Sequence, residues 1–295
     1  MNIPYCKVSI CTPTFNRRPF IPLLINCIEH QTYPLLHVEW IIIDDGTDKI
    51  EDLIKFKNVY NKPTVKYYKY DNKMTLGKKR NLMHEKCDGD IIIYMDDDDY
   101  YPPERISHAV ETLQNNPSFL CAGSSKMYMY FNHINKIYIM GPYANNHATA
   151  ATFAFKRELL FHTKYNETNS ISEEKEFLKN HTIPVLQLDS LKTIVVFSHL
   201  HNSIDKKILL ENEQLNPTVH QTNLTLNTII TNKFAILFIK SINNKLKSYN
   251  IGNLKYKPDV ELQVVDKYKN KNTHNIKLIQ NAIYNEIINR NNNKK

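Results

Sequence analysis

Short apolar runs rich in β-branched and aromatic residues alternate with helix-patterned stretches through the first hundred residues, and that alternation admits few folds. Val8–Cys11 reads as a strand, and Ile21, Leu24, Ile25 and Ile28 then recur at the spacing of one helix face. Glu39–Ile43 is a continuous run stopped by Asp44-Asp45-Gly46-Thr47, as in a strand buried on both faces and ended by a turn. Val65–Tyr70 gives a third strand, Leu76–Lys86 a second helix and Asp90–Met95 a fourth strand. The order predicts an α/β fold with a Rossmann-like, mostly parallel sheet and helices on both faces. Such sheets bind ligands beyond the carboxyl ends of their strands. The polar signals fall at those ends: Thr12–Arg17, Asp44-Asp45 and Asp96–Asp99.

Four consecutive carboxylates in YMDDDDYYPPER repel one another unless a positive partner neutralises them. Hard oxygen ligands suit Mg²⁺ or Mn²⁺, and a cation held by one or two carboxylates leaves coordination positions for substrate phosphates. A solvated acidic turn ahead of Pro102-Pro103 is the simpler alternative, made weaker by the buried strand that precedes it.

The 295 residues leave room for one large α/β domain and an appendage, and 42% hydrophobic with 23% charged residues is ordinary globular usage. The first residues read as a strand rather than a secretory signal, and no apolar run approaches the about 20 residues a bilayer demands, so a cytoplasmic or cytosol-facing protein is expected. Cys6, Cys11, Cys27, Cys87 and Cys121 are odd in number, lack CxxC spacing and read as reduced thiols. The sequons at Asn166, Asn180 and Asn223 are then expected to be unused. Residues 205–295 carry 15 Lys and Arg against 7 Asp and Glu, which equals the whole-chain net charge of +8. Dispersed lysines on a solvated helical face account for this, and no nucleic-acid partner is expected.

The strings CTPTFNR, QTYP before EWIIIDDGT, GKKRNLM and GDIIIYMDDDDYYPPERI, in that order, resemble the N-terminal half of family 2 glycosyltransferases, which share the GT-A fold. The resemblance covers about residues 6–204 and implies an inverting, metal-dependent transfer from a nucleoside diphosphate sugar, UDP-sugar favoured, to a glycan, protein or lipid acceptor. It implies a DxD-type motif: Asp99 and Pro103 fit the family spacing, which puts Asp96 and Asp97 on the ribose side and makes Asp98 the metal ligand. It places Pro13, Phe15 and Arg17 near the nucleotide, with Asp45 or Asp44 bonding the base. A carboxylate acceptor suits the N–H edge of uracil or guanine, while Arg17, Lys79 and Arg80 can offset diphosphate charge.

The segment from His147 to Arg157 resembles the family's acceptor-side strand, and His147 could touch phosphate or acceptor. Where the family carries a Glu-Asp pair heading a helix, this chain has Glu173-Glu174, so the resemblance makes Glu174, or else Glu173, the base. An N-capped helix start at Ser172 reads equally well from the same residues. At the last strand, Val195–Phe197, the family's His and the Asn three residues on select His199 with Asn202 as the second metal ligand, His201 being the alternative. The resemblance gives a transferase domain over 1–204 and leaves 205–295 as a basic helical extension with a disordered tail. Helix candidates there are Phe234–Ile242 and Ile276–Ile288, which could cover the site, form a homodimer or dock a partner. Two other readings are a sugar-nucleotide nucleotidyltransferase, which would require a Gly-rich phosphate loop absent from TPTFNRR, and a non-catalytic binding module using the basic region.

Overall fold

A computed structural model describes residues 5–144, 146–203, 206–210, 217–267 and 269. Strands β1 (Val8–Thr14), β2 (Val38–Asp44), β3 (Thr64–Lys69) and β4 (Ile91–Tyr94) are parallel and ordered β3-β2-β1-β4. Two helices connect them, α1 (Ile21–Glu29) between β1 and β2 and α2 (Leu76–Lys86) between β3 and β4. The continuous apolar run of β2 follows from this layering, since a sheet covered on both faces needs apolar residues at every position. Trp40 and Ile42 join the core under α1 with Ile21, Leu24 and Ile28, whereas Ile41 and Ile43 face Met83 of α2. Each fully buried isoleucine contributes about 1.5–3 kcal/mol on this account, before chain entropy is charged against it.

The sheet continues past β4 with α3 (Arg105–Asn115) crossing to β5 (Cys121–Gly123), which lies two places beyond β4. A hairpin of β6 (Met127–Phe131) and β7 (Lys136–Met140) leaves it, and β8 (Ala154–Lys156) returns antiparallel between β4 and β5. The acceptor-side segment is thus a strand only at Ala154–Lys156; His147 lies in a loop and Ala150–Thr152 in a 3₁₀ turn. Short helix α4 (Glu174–Phe177) precedes edge strand β9 (Val185–Gln187), which completes seven strands among the described residues. Helix α5 (Ser190–Thr193) leads to β10 (Val195–Ser198), which joins not this sheet but a second one, ordered β10-β6-β7-β11, with β11 at Val219–Gln221.

After α6 (Leu226–Ile229), helix α7 (Lys233–Leu246) contains the first of the two C-terminal helix candidates, and Ile276–Ile288 lies outside the described residues. Asn232 caps α7 by accepting from the Ala235 amide at 3.1 Å, and its side-chain amide also donates to Asn26 of α1 at 2.8 Å. Ala235, Phe238, Ile239 and Ile242 of α7 belong to the core under α1, so the chain beyond residue 205 packs back on what precedes it. All five cysteines are free thiols, four of them buried.

Candidate active site

The parallel register sets Thr14 beside Asp44 and Cys11 beside Tyr94, so three loops leave the sheet side by side: Phe15–Arg17, Asp45–Thr47 and Met95–Asp99. Thr12 ties them, accepting from Trp40 Nε1 at 2.8 Å and donating to the Met95 carbonyl at 2.7 Å. Strand β1 runs three residues past the Cys11 limit expected from its pattern, because the backbone of Thr12–Thr14 stays in register with Ile42–Asp44 of β2.

Pro13, Phe15, Arg17, Lys79 and Asp96–Asp98 line one cleft of about 150 Å³. Lys73, Met74, Ser170, Lys257 and Asp259 line it too, and none of these was visible from the sequence. A hollow of about 870 Å³ beside β3, lined by Leu36, Phe56 and Tyr67 among others, gathers no comparable set of facing carboxylates and cations.

The four aspartates are not equivalent. Asp98, one-fifth exposed, has Oδ2 3.2 Å from both Arg17 Nη2 and His199 Nε2. Burial alone would raise its pKa, but Arg17 and His199 hold it well below the usual carboxylate range. Asp97 is buried with Oδ2 unpartnered among the described residues; burial and the Asp98 charge push it up to about 7. Asp99 is also buried with one oxygen unpartnered, and burial raises it strongly. Asp96 faces Arg80, whose two terminal nitrogens stand 3.4 and 3.3 Å from its oxygens.

His199 lies on the loop after β10, and Asn202 accepts from its amide at 2.8 Å and sets its own side-chain amide 2.7 Å from Nε2. Burial lowers the imidazole to about 3, so it stays neutral, the state a metal requires. His201 points elsewhere: it is buried near Tyr249 and Gly252, and its Nδ1 has no partner among the described residues. Of the two histidines the fold therefore brings His199, and not His201, to Asp98. Among the described residues no three His, Cys, Asp or Glu side chains converge as a closed metal cage. An Asp98–His199 pair with unsatisfied carboxylate oxygens around it fits a cation that takes its remaining ligands from a substrate.

Asp44 is spent on the turn, accepting from the amides of Gly46 at 2.9 Å and Ile50 at 3.1 Å and from the Tyr67 hydroxyl. Asp45 accepts from Lys79 Nζ at 2.8 Å and from the Met74 amide at 2.6 Å, fixing two groups that line the cleft. Neither aspartate lines the cleft itself. Phe15 is half-buried there, with Lys73 and Lys79 5.3 and 5.9 Å from its ring centre. Arg17 Nη1 is buried and unpartnered among the described residues.

Arg80 is fully buried and does not line the cleft. Its guanidinium lies 4.3 Å over the Tyr94 ring and donates from Nε to Glu173 at 2.9 Å, so it joins Asp96 to the α4 loop instead of facing an open phosphate site. Arg80→Ala would leave Glu173 and Asp96 without their counter-charge and is expected to cost about 3–5 kcal/mol of stability, read as a fall in denaturation midpoint. A loss below about 1 kcal/mol would show the pair to be incidental.

The same contact separates the two candidate bases. Glu173 is buried against Arg80, while Glu174, half-buried, is pushed up to about 7 by burial and by the neighbouring Glu173 charge. Helix α4 starts without a side-chain cap: Ser172 has φ 52° and Glu173 occupies the cap position with no cap bond. His147 packs against Tyr143 and His181, which places it in a ring cluster of its own.

A family model described as glycosyl transferase family 2 matches residues 9–171. Over 115 residues, 38% of the chain, the sequence is 28% identical to a poly(ribitol-phosphate) beta-N-acetylglucosaminyltransferase, TarS, of Staphylococcus aureus. The match spans about a fifth of that relative's length, 20%. The crystal structure of S. aureus TarS 1-349 superposes with a TM-score of 0.50 at 16% identity, covering 86% of this chain and 77% of that one. A mannosyltransferase from Pyrobaculum calidifontis, solved with GDP-Man and Mn²⁺, gives 0.51 at 16% identity, covering 64% and 56%. Among the described residues no helix is long and apolar enough to cross a membrane.

Proposed function

The chain belongs to glycosyltransferase family 2, and on that premise we propose that it transfers a sugar, with inversion and with metal dependence, from a nucleoside diphosphate donor to an acceptor hydroxyl. One observation carries the reading: Asp98 and His199, 101 residues apart in sequence, meet at 3.2 Å at the carboxyl edge of the sheet, beside a cleft lined by arginine and lysine.

Asp98 and His199 would hold Mn²⁺ or Mg²⁺, which supplies Lewis-acid stabilisation of the departing diphosphate. A Mn²⁺ ion accompanies GDP-Man in the mannosyltransferase of the same fold. Arg17, with an uncommitted Nη1, and Lys79 offer charge-assisted hydrogen bonds to phosphate oxygens. Pro13 and Phe15 present an apolar wall to the nucleoside, Asp96 and Asp97 face its ribose, and Asp45 orients the wall by anchoring Met74 and Lys79.

In the transfer, the Glu174 carboxylate takes the proton of the acceptor hydroxyl as that oxygen attacks the anomeric carbon. The bond from that carbon to the diphosphate oxygen breaks, the electron pair leaves with the nucleoside diphosphate, and configuration inverts. A base held near pH 7 is matched to this task, because it is substantially ionised yet still basic at working pH. UDP is the favoured donor nucleotide, and the acceptor is a hydroxyl of a glycan, protein or lipid; the relative TarS is named for transfer of N-acetylglucosamine to poly(ribitol-phosphate).

A thermal-shift screen with UDP, GDP, dTDP and CMP, with and without Mn²⁺, tests this, since a ligand that binds only the native state raises the melting temperature. One nucleoside diphosphate is expected to stabilise the protein in a metal-dependent way, by about 2.7 kcal/mol at a hundredfold excess over its Kd. No response to any of the four would favour a non-catalytic binding protein.

A further inference from the structure

We infer that the segment around residues 249–267 is the outer wall of the donor site and that Lys257 is a ligand of the donor's diphosphate, an inference that rests on the donor reading above. Lys257 is 7% exposed and lines the cleft with Arg17, Lys73 and Lys79. No hydrogen bond or ion pair reaches its ammonium group among the described residues. A buried charge held in no ion pair is expensive for a fold, and the Arg17 charge beside it adds repulsion that the more distant pull of the Asp97 and Asp98 carboxylates does not offset. Burial, with that repulsion, lowers the ammonium to about 7. An anion entering the cleft would relieve both costs at once.

The rest of the segment is bonded down on both sides of the cleft, so Lys257 is not needed to hold it. On the nucleotide-loop side, Tyr249 donates to Asp48 at 2.8 Å and Asn16 to the Ile251 carbonyl at 3.3 Å. Gly252 lies so close that an added Cβ would stand 2.7 Å from both the Asn16 carbonyl oxygen and His201 Nδ1. Residues 258–267 are helical, and Asp259 pairs with Lys73 and accepts from Ser170. Gln263 accepts from the Ser170 amide at 2.8 Å, and Lys267 donates to Ser172 at 2.6 Å, next to Glu173 and Glu174. One continuous stretch thus links the loop after β1 to the loop bearing the proposed base and carries Lys257, a buried cation in no ion pair, between them. The cleft of about 150 Å³ is half the lower end of the about 300–1,000 Å³ usual for such pockets, so a whole donor would need the wall to stand further out.

The test compares the full chain with its K257A and K257R variants by calorimetry in Mn²⁺, titrating UDP against uridine and GDP against guanosine, together with the melting temperature of the free proteins. Loss of a charge-assisted hydrogen bond is expected to weaken diphosphate binding by K257A about tenfold to hundredfold, with nucleoside binding unchanged. K257R is expected to recover most of the loss. The free K257A protein is expected to melt no lower than wild type, because the substitution removes an unpaired buried charge. Equal affinity of K257A and wild type for the diphosphate, an equal loss for the nucleoside, or a lower melting temperature of free K257A would each overturn the assignment while leaving the donor reading intact. A wild-type protein that binds neither UDP nor GDP would overturn both.

Discussion

Asp98→Ala is expected to abolish sugar transfer and to erase the difference between nucleotide binding with and without Mn²⁺. The residue is the one aspartate of the four with both His199 and Arg17 at 3.2 Å, and these neighbours keep it ionised where burial pushes Asp97 and Asp99 toward their protonated forms. An ionised, partly exposed carboxylate next to a neutral imidazole is what a hard divalent cation can use. Removal of such electrostatic support typically lowers turnover about 10²–10³-fold or more. Folding should survive, since Asp98 anchors no turn, and circular dichroism with a melting curve would verify that. Metal-stimulated UDP or GDP binding that persists in Asp98→Ala would move the ligand role to another of the four aspartates.

Glu174→Gln separates chemistry from binding. The amide keeps the size of the side chain and loses the ability to accept a proton, so turnover is expected to fall about 10²–10⁴-fold while metal-dependent nucleotide binding stays at the wild-type level. The pH profile supplies a second readout. Glu174 is raised to about 7 and acts only when ionised, so wild-type kcat/KM is expected to fall tenfold per unit as pH drops below about 7 and to level off above it. The residual activity of Glu174→Gln should lack that inflection. Normal turnover in Glu174→Gln would end the base assignment. Glu173→Gln offers the contrast: its partner is the Arg80 guanidinium at 2.9 Å, so a loss of stability accompanies any loss of rate.

The sequence by itself determined the four parallel strands β1–β4 and where their polar edge lies. The apolar runs of β2 and β4, the helical spacing in α1 and the length of α2 were legible because a layered sheet imposes its pattern residue by residue on neighbours in the chain. The carboxylates after β4 were legible because like charges in a row are costly wherever they fold. What separated one candidate from the next was not local. Asp45 and Arg80 both read as groups for a nucleotide, yet Asp45 is engaged by Lys79 and Met74, and Arg80 by Glu173 and Asp96, partners 16 to 93 residues away. His199 and His201 differ by two positions, but β10 and its loop turn one to Asp98 and the other under Gly252. Lys257 carries no motif at all. Its significance comes from burial without an ion-pair partner in a cleft built by residues up to 244 positions away, such as Pro13, and only the folded chain decides which charges are left unpaired.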